Sequence, residues 1–150
     1  MRMLATSAAL ALTLGLAVAA SASASATRYH ATFVEVGGAI AGGSCGSATI
    51  SGAGHVAYQC VYFNSCGPNC DGRTITFDDG STLVMHESVV GASLPGSSFN
   101  AGANAPLFLE ITQTIVGGTG RFAGASGGGT GRIDTAADAV ITSSGTFTLP

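Results

Sequence analysis

Three histidines and eight acidic residues are the side chains of this 150-residue chain that could carry acid–base chemistry or bind a metal. His86 and Glu87 are adjacent, so on a β-strand they would point to opposite faces and could not share a pocket. His30 and His55 have no partner at a recognisable spacing, and the motifs H-x-x-x-H and G-x-S-x-G are absent. The sequence therefore predicts no metal site and no hydrolytic site built on histidine.

Glu87 is the acidic residue with the most unusual neighbours. Period-two alternation places it on one face of a strand with three apolar residues, Leu83, Met85 and Val89. If that face lines a lumen, desolvation makes Glu87 a candidate acid or base. The alternatives are pairing with an arginine or exposure to solvent.

Two tyrosines and a methionine are the candidate ligand contacts, namely Tyr58, Tyr62 and Met85. The alternation places both tyrosines on one face of a single strand, together with Val56 and Cys60. Tyr58 is also, with Glu87, a candidate catalytic residue. The alternative is that these tyrosines only pack against neighbouring side chains and bind no ligand.

Residues 1–26 have the pattern of a secretory signal peptide. Arg2 precedes an apolar, uncharged run over residues 4–20, and Ala24-Ser25-Ala26 offers a small-residue cleavage site. A membrane anchor is the alternative, but the run is shorter than the ~20 residues that a span needs. We expect a secreted domain of residues 27–150, with no membrane association after cleavage.

The composition of residues 27–150 limits the classes of binding partner that we expect. This part has four arginines, no lysine and eight acidic residues. The absence of a basic patch argues against nucleic acid and anionic membranes as partners. The length suits one domain, and the 23 glycines of the chain make long helices unfavourable.

An even number of cysteines in an exported domain predicts two disulfides. The four residues Cys45, Cys60, Cys66 and Cys70 allow three pairings. We favour Cys66–Cys70 across the turn Gly67-Pro68-Asn69, with Cys45–Cys60 as the second bridge. A zinc site is the alternative, but the usual C-x2-C spacing is missing. No unpaired thiol is left for nucleophilic catalysis.

Strand-like runs separated by glycine and aspartate turns fill the rest of the chain. The clearest hairpin joins residues 73–77 to residues 82–90 through Asp78-Asp79-Gly80-Ser81. Residues 64–72 and 91–106 are predicted loops. Seven or eight antiparallel strands in one small domain favour a closed barrel or a sandwich. The other predicted strands are residues 29–36, 48–50, 55–63, 107–116, 121–125, 129–135 and 139–149.

Two motifs that could bind calcium or a nucleotide fail in their context. Asp78-Asp79-Gly80 lacks the spaced ligands and the closing glutamate of a calcium loop. Residues 118–123 match G-x-G-x-x-A, but the glycine-rich residues that follow cannot begin a stable helix. The sequence therefore predicts no cofactor.

Residues 115–127, IVGGTGRFAGASG, together with the closing ITSSGTFTL and the upstream TFDDGSTLV, resemble the allene oxide cyclase-like and dirigent-like barrel superfamily. The resemblance covers residues 74–149. It implies an all-β fold, a single eight-stranded antiparallel barrel that is often a homotrimer and has a cavity for an apolar small molecule. The matching residues are structural turn residues, namely Gly117, Gly118, Thr119, Gly120, Arg121, Phe122 and Gly124.

Three functions are open at this point. The resemblance favours a secreted barrel that binds or steers an apolar small molecule without a conventional catalytic site. An isomerase or cyclase acting on an oxidised lipid or phenolic would need polar side chains converging in the lumen. An extracellular structural or interaction protein would act through its surface or its trimer interface.

Overall fold

Eight antiparallel strands form a closed barrel, in which each strand pairs with its neighbours in sequence and the last pairs with the first. The computed structural model describes residues 25–93, 108–134 and 139–150; residues 1–24 of the predicted signal peptide and 94–106 of the predicted loop lie outside them. The predicted all-β, eight-stranded barrel is confirmed. Its strands are β1 (Thr27–Ile40), β2 (Gly43–Ile50), β3 (Val56–Gly67), β4 (Cys70–Phe77), β5 (Thr82–Ser93), β6 (Phe108–Thr119), β7 (Ser126–Asp134) and β8 (Ala139–Thr148).

Several predicted elements differ from the structure. The loop predicted over residues 91–106 starts too early, since β5 continues to Ser93, and the strand predicted over residues 48–50 begins at Gly43. The loop predicted over residues 64–72 is largely strand, because β3 continues to Gly67 and β4 begins at Cys70. The strand predicted over residues 121–125 is instead a single 3-10 turn, Gly120–Phe122. Gly120 has a φ of +59°, a left-handed conformation that ends β6 and that glycine adopts without steric cost. The chain therefore turns here before β7.

Both favoured disulfides are confirmed, Cys45–Cys60 and Cys66–Cys70. Strands β2 and β3 pair only over Gly43–Gly46, and the first bridge links them within this short ladder. The second bridge closes the β3–β4 connection.

Among the residues described, no helix is long and apolar enough to cross a membrane.

The interior of the barrel is layered. At the end that contains the Gly120–Phe122 turn, buried aromatic and aliphatic side chains pack together in the interior. Polar side chains occupy the middle, and the opposite end, where β1 passes into β2, holds a cavity. The functional question therefore concerns the middle layer and the cavity above it. The filled end includes Ile50, Phe77, Leu83, Ile115, Phe122 and Phe147.

Candidate functional site

Strand alternation turns several polar side chains into the barrel. On β4, Arg73 lies on the same inward face as Ile75 and Phe77, and all three are almost fully buried. On β1, Glu35 continues the buried series that begins at Tyr29. Six strands contribute in this way. We call the resulting group the polar cluster: Tyr29, Glu35, Ser44, Gln59, Arg73, Glu87 and Gln113.

Arg73 is the centre of the polar cluster. Its Nε donates to Oε1 of Glu87 and its Nη2 donates to Oε2, both at 2.8 Å, in a bidentate pair. Nη1 donates to Oε1 of Gln59, and the guanidinium carbon lies 4.3 Å from the centre of the Phe33 ring. Such fork-shaped pairing fixes both geometry and charge. The arginine is therefore held on several sides.

Glu87 accepts three hydrogen bonds within the polar cluster. Besides the two hydrogen bonds from Arg73, its Oε1 accepts from Nε2 of Gln113 at 2.7 Å. The Tyr29 hydroxyl then donates to Oε1 of Gln113 at 2.9 Å. A connected chain thus runs from Tyr29 through Gln113 and Glu87 to Arg73. Satisfied networks of this kind hold their members in one arrangement.

Glu35 is less completely engaged. Its Oε1 lies 2.6 Å from Nη2 of Arg73 as an ion pair, and its Oε2 accepts from the Ser44 hydroxyl at 2.7 Å. The contact with Arg73 does not have hydrogen-bond geometry, so among the described residues Oε1 is paired by charge but has no well-aligned donor. An ionised carboxylate has about four acceptor sites, so Glu35 has more unused acceptor sites than Glu87.

Burial and neighbouring charge set the protonation of two members. Burial acts to lower the pKa of Arg73, but the carboxylates of Glu87 and Glu35 outweigh it, so its pKa is raised and the guanidinium stays charged. Burial, and next the negative charge of Glu87, raises the pKa of Tyr29 to about 12. The hydroxyl therefore stays a donor well into alkaline solution.

The raised pKa of Tyr29 makes stability depend on alkaline pH. Below its unfolded pKa of about 10, both states keep the proton; between about 10 and 12 only the folded state keeps it. The folded state therefore loses about 3 kcal/mol of stability as pH rises through this window. Urea unfolding measured across the window should show the loss. Tyr29→Phe should remove it, whereas Tyr62→Phe on the outer face should not.

The cavity at the open end lies directly above the polar cluster. It has a volume of about 340 Å³, and its charged lining residues are Glu35, Arg73 and Glu87 at the floor and Asp71 near the start of β4. Larger depressions, such as one of about 630 Å³ beside His30, lie on the outside and are more open. The barrel cavity joins apolar walls to buried charged side chains. Its walls are Val61, Phe63, Val89, Leu109, Ile133, Ala139 and Ile141.

The residues singled out from the sequence fall in different places. Glu87 points inward and reaches the cavity floor, paired with an arginine. Met85 is fully buried but is not part of the cavity lining. Tyr58 and Tyr62 lie on the outer face of β3, 54% and 46% exposed, on the face that carries the Cys45–Cys60 bridge. The structure does not bring Tyr58 and Glu87 together.

The three histidines stay outside the barrel interior. His86 and Glu87 point to opposite faces, and His55 forms an exposed pair with Asp78, its Nδ1 2.8 Å from the carboxylate. Atoms of Cys66, Cys70 and His86 lie within 4.8 Å of one another, which is compatible with shared metal ligation. Both sulfurs are bonded in the disulfide, however, so neither is a thiolate ligand.

The glycine-rich turn closes the filled end of the barrel. A Cβ on Gly118 would collide with the Thr82 carbonyl oxygen and with Phe122. Gly120 and Gly124 have positive φ angles. Phe122 is buried beneath this turn. These glycines shape backbone, and none of them reaches the cavity lining.

Sequence reasoning missed Arg73, Glu35 and Gln59. The signal was present for Arg73 and Glu35, since each occurs at a period-two position of an otherwise buried strand face, as in Arg73-x-Ile75-x-Phe77. For Gln59 the alternation is interrupted, because the register of β3 shifts between Val56 and Tyr58. An isolated charge on an apolar face has no visible partner in the sequence. The partners come from other strands, so the cluster emerges only when the barrel closes.

Comparisons with known proteins add no family to this description. The chain matches no protein-family model, no curated protein and no solved structure. The fold and the candidate site define a class of protein: a closed eight-stranded antiparallel barrel with a charged middle layer and a cavity at one end.

Proposed function

We propose that this protein is exported and binds one small, largely apolar molecule in the cavity at the open end of its barrel, holding or steering it without a conventional catalytic site. Export is supported by the signal-peptide pattern of residues 1–26 and by two disulfides, which persist in oxidising compartments. The resemblance to the allene oxide cyclase-like and dirigent-like barrels agrees with this proposal.

The observation that carries the proposal is the cavity itself. Its volume of about 340 Å³ falls at the small end of the range for ligand sites, about 300–1,000 Å³. Apolar walls around a few converging polar groups are the usual composition of such sites. At ~30 Å³ each, roughly ten non-hydrogen atoms fit inside.

Binding of 1-octanol tests the proposal, because its apolar chain matches this capacity. We expect one equivalent to bind saturably in calorimetry and to shift amide resonances of the wall residues Val61, Leu109 and Ile133 in NMR. Ala139→Phe should fill the cavity and weaken binding by about tenfold or more, which is ~1.4 kcal/mol.

Ala57→Phe is the matched control, since Ala57 is exposed and is not part of the cavity lining. It should leave octanol binding unchanged. If the wild-type protein binds no octanol, or if both variants weaken binding equally, the proposed site is wrong. Native mass spectrometry of protein recovered from its own culture medium would show directly whether a molecule is retained.

An isomerase or cyclase is the second candidate function, and one observation favours it. Glu35, Arg73 and Glu87 reach the cavity floor from three strands, so polar groups do converge where a substrate would lie. Such groups could move a proton on an oxidised lipid or phenolic. Mass spectrometry of candidate substrates after incubation separates the two functions, because binding alone leaves their composition and structure unchanged.

The predicted homotrimer, and with it a role in extracellular interactions, stays a prediction. The outer face of β1–β3 exposes apolar side chains that self-association could cover, namely Val34, Val36, Tyr58 and Tyr62. Sedimentation of the purified protein measures the oligomeric state directly.

A further inference from the structure

The charges at the cavity floor are not balanced. Three carboxylates line the cavity. Those of Glu35 and Glu87 contact the guanidinium of Arg73, whereas that of Asp71 is half-buried and accepts a hydrogen bond from the Asn64 N–H. Among the described residues, no other cationic side chain is part of the lining. A low-dielectric cavity strengthens such an imbalance, because charges there are screened less than in water. The floor therefore favours a ligand that brings positive charge or hydrogen-bond donors.

Arg73 cannot serve an anionic ligand in this arrangement. Its guanidinium already contacts two carboxylates, the Gln59 amide oxygen and the face of the Phe33 ring. An incoming carboxylate would have to displace Glu35 or Glu87 and would then add a further negative charge to the floor. Burial of an additional uncompensated charge is costly.

Glu35 is the acceptor that remains available. Glu87 accepts three hydrogen bonds, whereas Glu35 accepts one, from Ser44, and shares the guanidinium only through an ion pair. Glu35 is 6% exposed and lines the cavity, and its Oε1, which lies 2.6 Å from Nη2 of Arg73, has no donor in hydrogen-bond geometry among the described residues. Buried acceptors without a well-aligned donor are rare, so a donor group on a ligand would complete the hydrogen bonding of this oxygen.

From this asymmetry we infer that the cavity selects an amphipathic amine, whose apolar body lies against the walls and whose ammonium group is recognised by the Glu35 carboxylate. The inference rests on the proposed binding function and specifies its ligand class. A hydroxyl group satisfies one acceptor but leaves the charge imbalance, so an alcohol is the weaker ligand. A carboxylate is the weakest.

The test compares three probes of one chain length, namely 1-octylamine, 1-octanol and octanoate, by calorimetry at about pH 7. A primary amine is protonated there, since the pKa of a lysine amine is about 10.4. We expect octylamine to bind about tenfold or more tightly than octanol, and octanoate to bind more weakly than both. The advantage of the amine should shrink, but not vanish, at high salt.

Glu35→Gln identifies the recognising group, with Glu110→Gln as the matched control on the outer surface, where Glu110 is about half exposed beside Arg132. We expect Glu35→Gln to remove the preference for octylamine while octanol still binds, and Glu110→Gln to leave both affinities unchanged. Circular dichroism and octanol binding establish that each variant is folded.

The outcomes separate this inference from the proposed function. If octanol and octylamine bind equally, or octanoate binds most tightly, the amine preference is wrong while the binding function stands. A preference for octylamine that survives Glu35→Gln overturns the role of Glu35. If none of the three probes binds, the proposed function fails and the ligand class fails with it.

Discussion

Replacing Arg73 with methionine should lower the free energy of unfolding by about 3–5 kcal/mol, one of the two largest effects we expect from a single substitution. Methionine retains an unbranched chain of similar reach, so the loss comes mainly from charge. The substitution leaves the buried carboxylates of Glu35 and Glu87 and the amide oxygen of Gln59 without the guanidinium that they share. Urea unfolding followed by circular dichroism measures the change.

Arg28→Met is the matched control, because Arg28 is exposed on β1 of the same barrel. It should change stability by no more than about 0.5 kcal/mol. Adding Glu87→Gln to Arg73→Met should recover part of the loss, since the double variant leaves one buried charge fewer. Equal stability of Arg73→Met and the wild-type protein would show that the polar cluster does not support the fold.

Phe122→Ala should destabilise the barrel by about 3–5 kcal/mol, for an apolar reason. Phe122 is 1% exposed, and its ring centre lies 4.7 Å from that of Phe77 and 6.1 Å from that of Phe147. The guanidinium of Arg121 covers it at 4.7 Å. Removal of the ring leaves a cavity at the filled end. We expect the short turn at Gly120 not to move far enough to close it.

Phe63→Ala is the control for this substitution, because Phe63 is 50% exposed at the opposite end. Its loss should cost about 1 kcal/mol or less. Thermal unfolding of both variants gives the comparison. Similar losses for the two phenylalanines would mean that the filled end is no more important to stability than the exposed rim.

The fold was largely predictable because its signals are local. Alternation, turn residues and paired cysteines act over a few residues, so the hairpin at Asp78-Asp79-Gly80-Ser81, the two bridges and the shared face of Leu83, Met85 and Glu87 could be predicted from the sequence. The predicted strand over residues 121–125 failed because Gly120 takes a left-handed conformation and starts a 3-10 turn. Turn geometry at a glycine is not visible in alternation.

The candidate site was predictable only in part. Alternation indicated that Glu87 would share a face with apolar residues, and it could equally have indicated Arg73 and Glu35. It could not say which of two strand faces points inward, and so Tyr58 and Tyr62 were considered as ligand contacts although they lie outside. Inside and outside are assigned only when the sheet closes.

By itself, then, the sequence determined an all-β chain with two disulfides, glycine turns and no histidine-based catalytic motif. Tertiary structure alone decided that Arg73 serves two carboxylates and that Tyr29 reaches Gln113, 84 residues away. Partners so distant in sequence are joined by strand register and barrel closure, which no local pattern encodes. Closure also brings three carboxylates and one guanidinium into the lining of a single cavity, and in this way it forms the candidate site.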